Sequence, residues 1–243
     1  MGKKIAIIPS RYGSSRFPGK PLALIKGKPM IQHVYENVKK VTELDEVYVA
    51  TDDKRIFDVV TAFGGKALMT SDRHTCGTDR LAECAQMLNL EEEDLVLNIQ
   101  GDEPLINKEM ILDLLSCFDS EDVYMGTLKK KITAEEELNN SNVVKVICDV
   151  NEYAIYFSRF CLPFERDEKK AIHYKHIGAY GYKKWFLMKY SNMSKTGLEI
   201  AESLEQLRVL ENGYKIRVKE TQFQTVGVDT PEQLLQVEKL MEG

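Results

Sequence analysis

Short apolar runs alternate with amphipathic stretches through the first half of the chain. Residues 4–9 (KIAIIP) form a nearly unbroken apolar run, the pattern of a strand buried on both faces. Residues 28–41 place Ile31, Val34, Val38 and Val41 on one stripe, which predicts a helix. Residues 46–51 (EVYVAT) alternate as a strand and stop at Asp52-Asp53. A helix is predicted over 55–63, ended by Gly64-Gly65, and another over 79–90. Residues 95–100 (LVLNIQ) read as a buried strand, and 107–118 as a helix with Asn107 as its N-cap. Strands alternating with helices predict an α/β fold with a mostly parallel sheet.

The pattern changes after residue 140. Residues 143–148, 154–158, 176–182 and 215–219 read as strands, with a single long helix over 198–211 among them. This suits antiparallel additions to the same sheet or a small lid. No Pro/Gly/Ser-rich linker divides the chain, so 1–243 reads as one continuous domain.

Composition narrows the functional classes. The formal net charge of −5 argues against a nucleic-acid binder, which carries a basic face. No apolar run approaches the ~18 residues of a membrane helix. The N-terminus lacks the apolar core of a signal peptide, so no membrane association and a cytoplasmic location are expected. Five cysteines, widely spaced and without a CxxC pair, read as reduced thiols rather than a zinc or disulfide framework.

Three motifs carry chemistry. Residues 7–22 (IIPSRYGSSRFPGKPL) run from a strand into a loop with Gly13, Gly19, two serines, Arg11, Arg16 and Lys20. Backbone N–H groups and cations there suit phosphates. The loop is not a P-loop: five residues rather than four separate Gly13 from Gly19, and Pro21 stands where a Ser or Thr would hold magnesium. The metal ligand must come from elsewhere. NIQGDEP supplies Asp102 directly after a buried strand, and a magnesium ion takes one or two carboxylates plus substrate phosphates. Asp52, Asp53, Asp149 and Asp229 are candidates for a second carboxylate. Asp229, in VGVDTPE, also reads as the cap of a last helix starting near Pro231. In open parallel sheets such loops gather beyond the carboxyl ends of the strands. The segment TSDRHTCGTDR could wall a nucleotide site. YFSRFCLPFERD, KHIGAYGY and SLEQLR hold Arg, His, Tyr, Glu and Gln suited to an acidic, polyhydroxylated ligand.

Together with GKPMIQHVYE, VATDD and LEQLRVLENG, these stretches run from one end of the chain to the other. The chain resembles the 3-deoxy-manno-octulosonate (Kdo) cytidylyltransferases, the CMP-Kdo synthetase family. The resemblance implies a three-layer α-β-α, Rossmann-like nucleotidyltransferase with a mixed, mostly parallel sheet, usually dimeric. Its CTP-binding part would lie mainly in 1–120 and its sugar-binding and dimerisation part in 140–215. It implies a magnesium-dependent reaction in which the C2 hydroxyl of Kdo attacks the α-phosphate of CTP. The products are CMP-Kdo, for lipopolysaccharide or capsule synthesis, and pyrophosphate. By position, Lys20, Asp102 and Asp229 would be catalytic, with Asp102 and Asp229 holding Mg2+. Arg11, Ser14, Ser15, Lys20, Ser71, Gly77 and Arg80 would bind the nucleotide. Gln100, Arg159, Arg166, His176, Tyr180, Glu205 and Gln206 would hold the sugar. Ser10 and Cys76 depart from the family's usual Ala and Ser, and neither change removes a charge. A sialic-acid cytidylyltransferase and a nucleotide-binding protein without turnover are the competing readings.

Overall fold

The computed structural model describes residues 2–13, 16–74, 76–166, 171–223 and 226–241. The chain divides into two compact units, one of residues 1–112, 182–191 and 224–243, the other of 113–181 and 192–223.

The first unit opens with β1 (Lys4–Pro9) and a small hairpin of β2 (Leu24–Ile25) and β3 (Lys28–Pro29). It continues through α1 (Met30–Lys39), β4 (Glu46–Thr51), α2 (Lys54–Ala62), β5 (Ala67–Met69), α3 (Gly77–Met87) and β6 (Leu95–Asn98). Helix α4 (Lys108–Leu115) follows. Strands β6, β1, β4 and β5 lie side by side in that order, all parallel. The predicted apolar runs are the central ones: Ile5, Ile7 and Ile8 of β1 are 0–2% exposed, and all four residues of β6 are buried. Burying each such isoleucine contributes ~1.5–3 kcal/mol. The sheet grows from β1 toward β4 on one side and β6 on the other, so strand order reverses at β1. The crevice beyond the carboxyl ends of β1 and β6 is where such sheets bind ligands.

The second unit contains β7 (Met125–Lys131), α5 (Glu135–Asn139), β8 (Lys145–Cys148), β9 (Ala154–Ser158) and most of β10 (Tyr174–Lys183). Helix α6 (Lys184–Ser191) returns to the first unit and packs on α3. Helices α7 (Gly197–Glu202) and α8 (Gln206–Glu211) and strand β11 (Arg217–Glu220) complete the second unit. Helix α9 (Pro231–Leu240) belongs to the first. In the second unit β11 runs parallel to β7, while β8 is antiparallel to both β9 and β10. The sheet content is therefore mixed and mostly parallel, as the sequence pattern predicts. No helix among the described residues is long and apolar enough to cross a membrane. None of the five cysteines is in a disulfide, and burial pushes the Cys84 and Cys117 thiols up to about 12.

The helix expected over 198–211 is two helices. Ser203 adopts a left-handed φ of 52° and Leu204 turns inward. The cause is a buried ion pair: Arg208 Nε donates to Glu199 Oε2 at 2.7 Å, nine residues away. A straight helix would separate those positions by ~13 Å along its axis. Folding back brings them together. The helix expected over 28–41 begins at Met30, because Lys28 and Pro29 pair with the preceding strand of the hairpin.

Candidate active site

A cavity of about 370 Å³ opens at the carboxyl edge of β1 and β6 in the first unit. Pro9, Ser10 and Arg11 enter it from the end of β1, Gln100 to Asp102 from the end of β6, and Asp229 from just ahead of α9. The turn after β6 requires glycine at its centre. A Cβ on Gly101 would lie 2.9 Å from the Pro9 carbonyl oxygen and 2.5 Å from Ser10 Oγ. The loop after β1 closes in a similar way at Gly19. Its φ is +72°, and a Cβ there would stand 2.9 Å from the ring of Tyr12. Gly19 leads directly into a short 3-10 turn that begins with Lys20.

Lys20 is the centre of the site. Its Nζ donates to Asp102 Oδ2 at 2.6 Å, to Asp229 Oδ1 at 2.9 Å and to the Val228 carbonyl at 3.1 Å. Burial alone would lower the ammonium's pKa, but the charge and hydrogen bonds of Asp102 and then Asp229 hold it above the usual lysine value. Lys20 is therefore a fixed cation. Arg16 Nη2 lies 2.8 Å from Asp229 Oδ2, on an arm that is 67% exposed. The backbone joins the two aspartates as well, since the Val228 N–H donates to the Asp102 carbonyl at 2.9 Å.

The four candidates for a second carboxylate now separate. Asp52 accepts from the buried guanidinium of Arg80 at 2.8 Å. Asp53 caps α2 and binds Arg55. Asp149 organises a turn through the N–H groups of Asn151 and Tyr153. Asp229 alone of the four meets Asp102. It is free to do so because it does not cap the last helix: Thr230 is the N-cap, in a reciprocal capping box with Gln233. The cap reading of Asp229 is thus corrected by one position.

Helix α3 starts at Gly77, two residues before the sequence pattern predicts, so its N-terminus lines the cavity. The positive end of a helix dipole favours an anion. Arg80, 1% exposed, also lines the cavity and is tethered by Asp52 and Thr70 Oγ1. Arg11 is exposed at the cavity wall. Ser71 is not among the lining residues; its N–H donates to Glu83 at 2.9 Å and its hydroxyl accepts from the Arg73 N–H. Ser14 and Ser15 lie outside the described residues. Arg16 is one of the loop's cations, but its pairing with Asp229 has no signature in the spacing.

Of the expected sugar ligands, Gln100 lines the cavity of the first unit. The other six stand in the second unit. His176 is 3.0 Å from Thr127 Oγ1 and packs edge-on against Phe157 and at a tilt against Tyr180. This desolvation drops its pKa to about 3, so the ring is neutral at physiological pH. The Thr127 hydroxyl is 2.8 Å from the Ala179 carbonyl; donating there, it accepts from a protonated Nε2 of His176. Burial, then the charge of Glu205, pushes the Tyr180 phenol upward, leaving it a neutral donor. Gln206 is 5% exposed, and its Nε2 has no hydrogen-bond partner among the described residues. Arg159 is committed differently: its guanidinium donates to the carbonyls of Glu202, Ser141 and Ser203, bracing the end of β9 against α7. Arg166 is exposed.

A loop bearing Arg11, Arg16 and Lys20, a helix N-terminus and two carboxylates on one cation meet at the switch point of a parallel sheet, an arrangement suited to nucleotidyl transfer. A family model described as Cytidylyltransferase matches residues 5–216. The 3-deoxy-manno-octulosonate cytidylyltransferase of Thermodesulfovibrio yellowstonii is 51% identical, over 98% of this chain and 97% of its own length. That of Fusobacterium nucleatum is 53% identical, over 97% and 95%. A solved structure of CMP:2-keto-3-deoxy-manno-octonic acid synthetase complexed with CTP superimposes with a TM-score of 0.94 at 45% identity, covering 99% of this chain and 98% of that one. The chain belongs to the 3-deoxy-manno-octulosonate cytidylyltransferase family, as its motifs predict.

Proposed function

We propose that this enzyme transfers CMP from CTP to Kdo, with Mg2+, by in-line attack of the sugar's C2 hydroxyl on the α-phosphate. The observation that carries the reading is the pair of carboxylates, Asp102 and Asp229, converging on Lys20 at the edge of a parallel sheet. Their oxygens lie 2.6 and 2.9 Å from one point, the Lys20 ammonium, and both side chains are partly exposed. Two hard oxygen donors beside a phosphate loop fit magnesium, with substrate phosphates filling the remaining positions. No group of three or more His, Cys, Asp or Glu gathers here or elsewhere among the described residues, so oxygens of the substrate would have to complete the coordination. When bound there, the ion would neutralise charge that develops on the phosphate oxygens.

The chain's own residues do the rest. Arg11, Lys20, Arg16 and the N-terminus of α3 bind and orient the triphosphate, with Ser14 and Ser15 from the same loop. Lys20 turns from the carboxylates toward the phosphates as the nucleotide enters. Arg80 and Gly77 form the wall behind the nucleotide. His176, Tyr180, Glu205 and Gln206 of the second unit hold the sugar acid, and Gln206 Nε2 gains the acceptor it lacks. Arg166, exposed on the second unit, faces its carboxylate, while Arg159 braces β9 against α7. Nucleotidyl transfer needs alignment and charge neutralisation more than an acid–base residue, and holding two substrates in line contributes ~7–11 kcal/mol. The protein acts in the cytoplasm as a homodimer, with the exposed Phe160 and Phe164 of the second unit covered by the partner. It supplies activated sugar for lipopolysaccharide or capsule.

Incubation with CTP and Mg2+ plus either Kdo or sialic acid, with pyrophosphate as readout, tests the reading. Rapid release with Kdo and none above background with sialic acid is expected. Equal release with sialic acid, or none with either despite CTP binding, overturns it.

A further inference from the structure

Asp229 is delivered to the site by the chain just ahead of α9, and the helix's own cap grips its backbone. Gln233 Oε1 accepts from the Asp229 N–H at 2.7 Å and from the Thr230 N–H at 3.1 Å. The Gln233 N–H donates back to Thr230 Oγ1 at 3.4 Å. An ordinary capping box makes one reach-back bond, to the N-cap residue. Here the same oxygen takes a second N–H one residue upstream, and that residue carries the carboxylate. Immediately before it, Val228 is pinned by the Asp102 carbonyl and by Lys20. Residues 228 and 229 are thus clamped from opposite ends, by the first aspartate's main chain and by Gln233.

The body of α9 is anchored independently. Val237 is fully buried in a cluster with Ile25, Met30 and Val228. The hairpin clasps the helix through the Lys26 N–H to Glu238 at 2.9 Å and Lys26 Nζ to the Met241 carbonyl at 2.8 Å. Losing Gln233 therefore leaves α9 docked and frees only the segment that carries Asp229.

We propose that Gln233 is the positioning residue for Asp229, fixing that carboxylate opposite Asp102 and so setting affinity for the metal–nucleotide complex. The inference rests on the reading of Asp229 as a metal ligand. Outer partners of metal-binding groups commonly change metal affinity or activity ~10–100-fold.

The test is Gln233→Leu, which keeps the side chain's bulk and removes the acceptor. Two quantities are read: Mg2+ half-saturation of pyrophosphate release, and Mn2+ binding to the CTP complex by calorimetry. We expect both to weaken by ~10-fold or more, with KM for Kdo within about two-fold of wild type. Gln233→Glu, which retains a capping oxygen, restores Mn2+ affinity to near the wild-type value. Val237→Ala, which loosens the helix without touching the clamp, lowers Tm and leaves Mg2+ half-saturation unchanged. If Gln233→Leu does not fold, Gln233→Asn, one methylene too short for the double bond, replaces it with the same expectation. A folded Gln233→Leu with wild-type metal affinity overturns the proposal. So does a Val237→Ala variant whose metal affinity falls equally, because the effect is then general fraying. A wild-type enzyme that needs no divalent ion overturns instead the reading beneath it, and the proposal with it.

Discussion

Asp102→Asn and Asp229→Asn should each lower kcat by ~10³-fold or more while leaving the circular dichroism spectrum and Tm close to wild type. The magnitude follows from the role. A bound metal supplies several kcal/mol of charge stabilisation in the transition state, and each ~1.4 kcal/mol is tenfold in rate. Asparagine keeps the volume and one oxygen of each side chain but not its charge. The fold is spared because neither carboxylate is buried: Asp102 is 29% and Asp229 is 37% exposed. The backbone tie between Val228 and Asp102 is also untouched. Single-turnover pyrophosphate release at saturating CTP and Mg2+ is the check. Full activity in either variant contradicts the metal assignment.

Lys20→Met should lower kcat/KM for CTP by ~10²–10³-fold, the usual cost of removing one preorganised donor from a charge-stabilising site. Methionine nearly matches the stem in length and lacks the ammonium, so loss of charge dominates. A second readout separates this from misfolding. Without Lys20, Asp102 and Asp229 face each other, with Arg16 paired to Asp229 alone. Mg2+ added to the variant should then raise its Tm more than it raises that of wild type. In the variant the ion relieves repulsion, while in wild type it must displace a hydrogen-bonded ammonium. An equal shift in both proteins, with wild-type kcat/KM, contradicts the role given to Lys20.

Much of this was legible in the sequence because it is carried by local pattern. β1, β4, β9 and α9 follow directly from apolar runs, alternation and cap chemistry. β5 escaped because three residues are too few to show a period. β7 escaped because its sequence, MGTLKKK, places Gly and Thr at buried positions and ends in lysines. The break at Ser203 was hidden because the force behind it, the Glu199–Arg208 pair, is a tertiary contact. At the site, the glycines, Lys20 and Asp102 announced themselves by their motifs. The pairing of Asp229 with Lys20, 209 residues apart, did not; the motif resemblance implied only that Asp229 joins Asp102 as a metal ligand. Its physical trace was nonetheless present: in TPEQ, Thr230 and Gln233 satisfy the cap by themselves and release Asp229. Arg159 shows the reverse. Its residue type suits a carboxylate, yet its donors are engaged by three main-chain carbonyls that no pattern announces.

The central claim is that Asp102 and Asp229 together hold the metal of a metal–CTP complex while Lys20 moves to the phosphates. Anomalous diffraction from crystals grown with Mn2+ and CTP tests it most directly. The account predicts one Mn2+ peak in coordination with oxygens of both carboxylates and of the nucleotide, and Lys20 Nζ on a phosphate oxygen. A peak that touches neither aspartate, or Lys20 still seated between the two carboxylates with CTP in place, would contradict it.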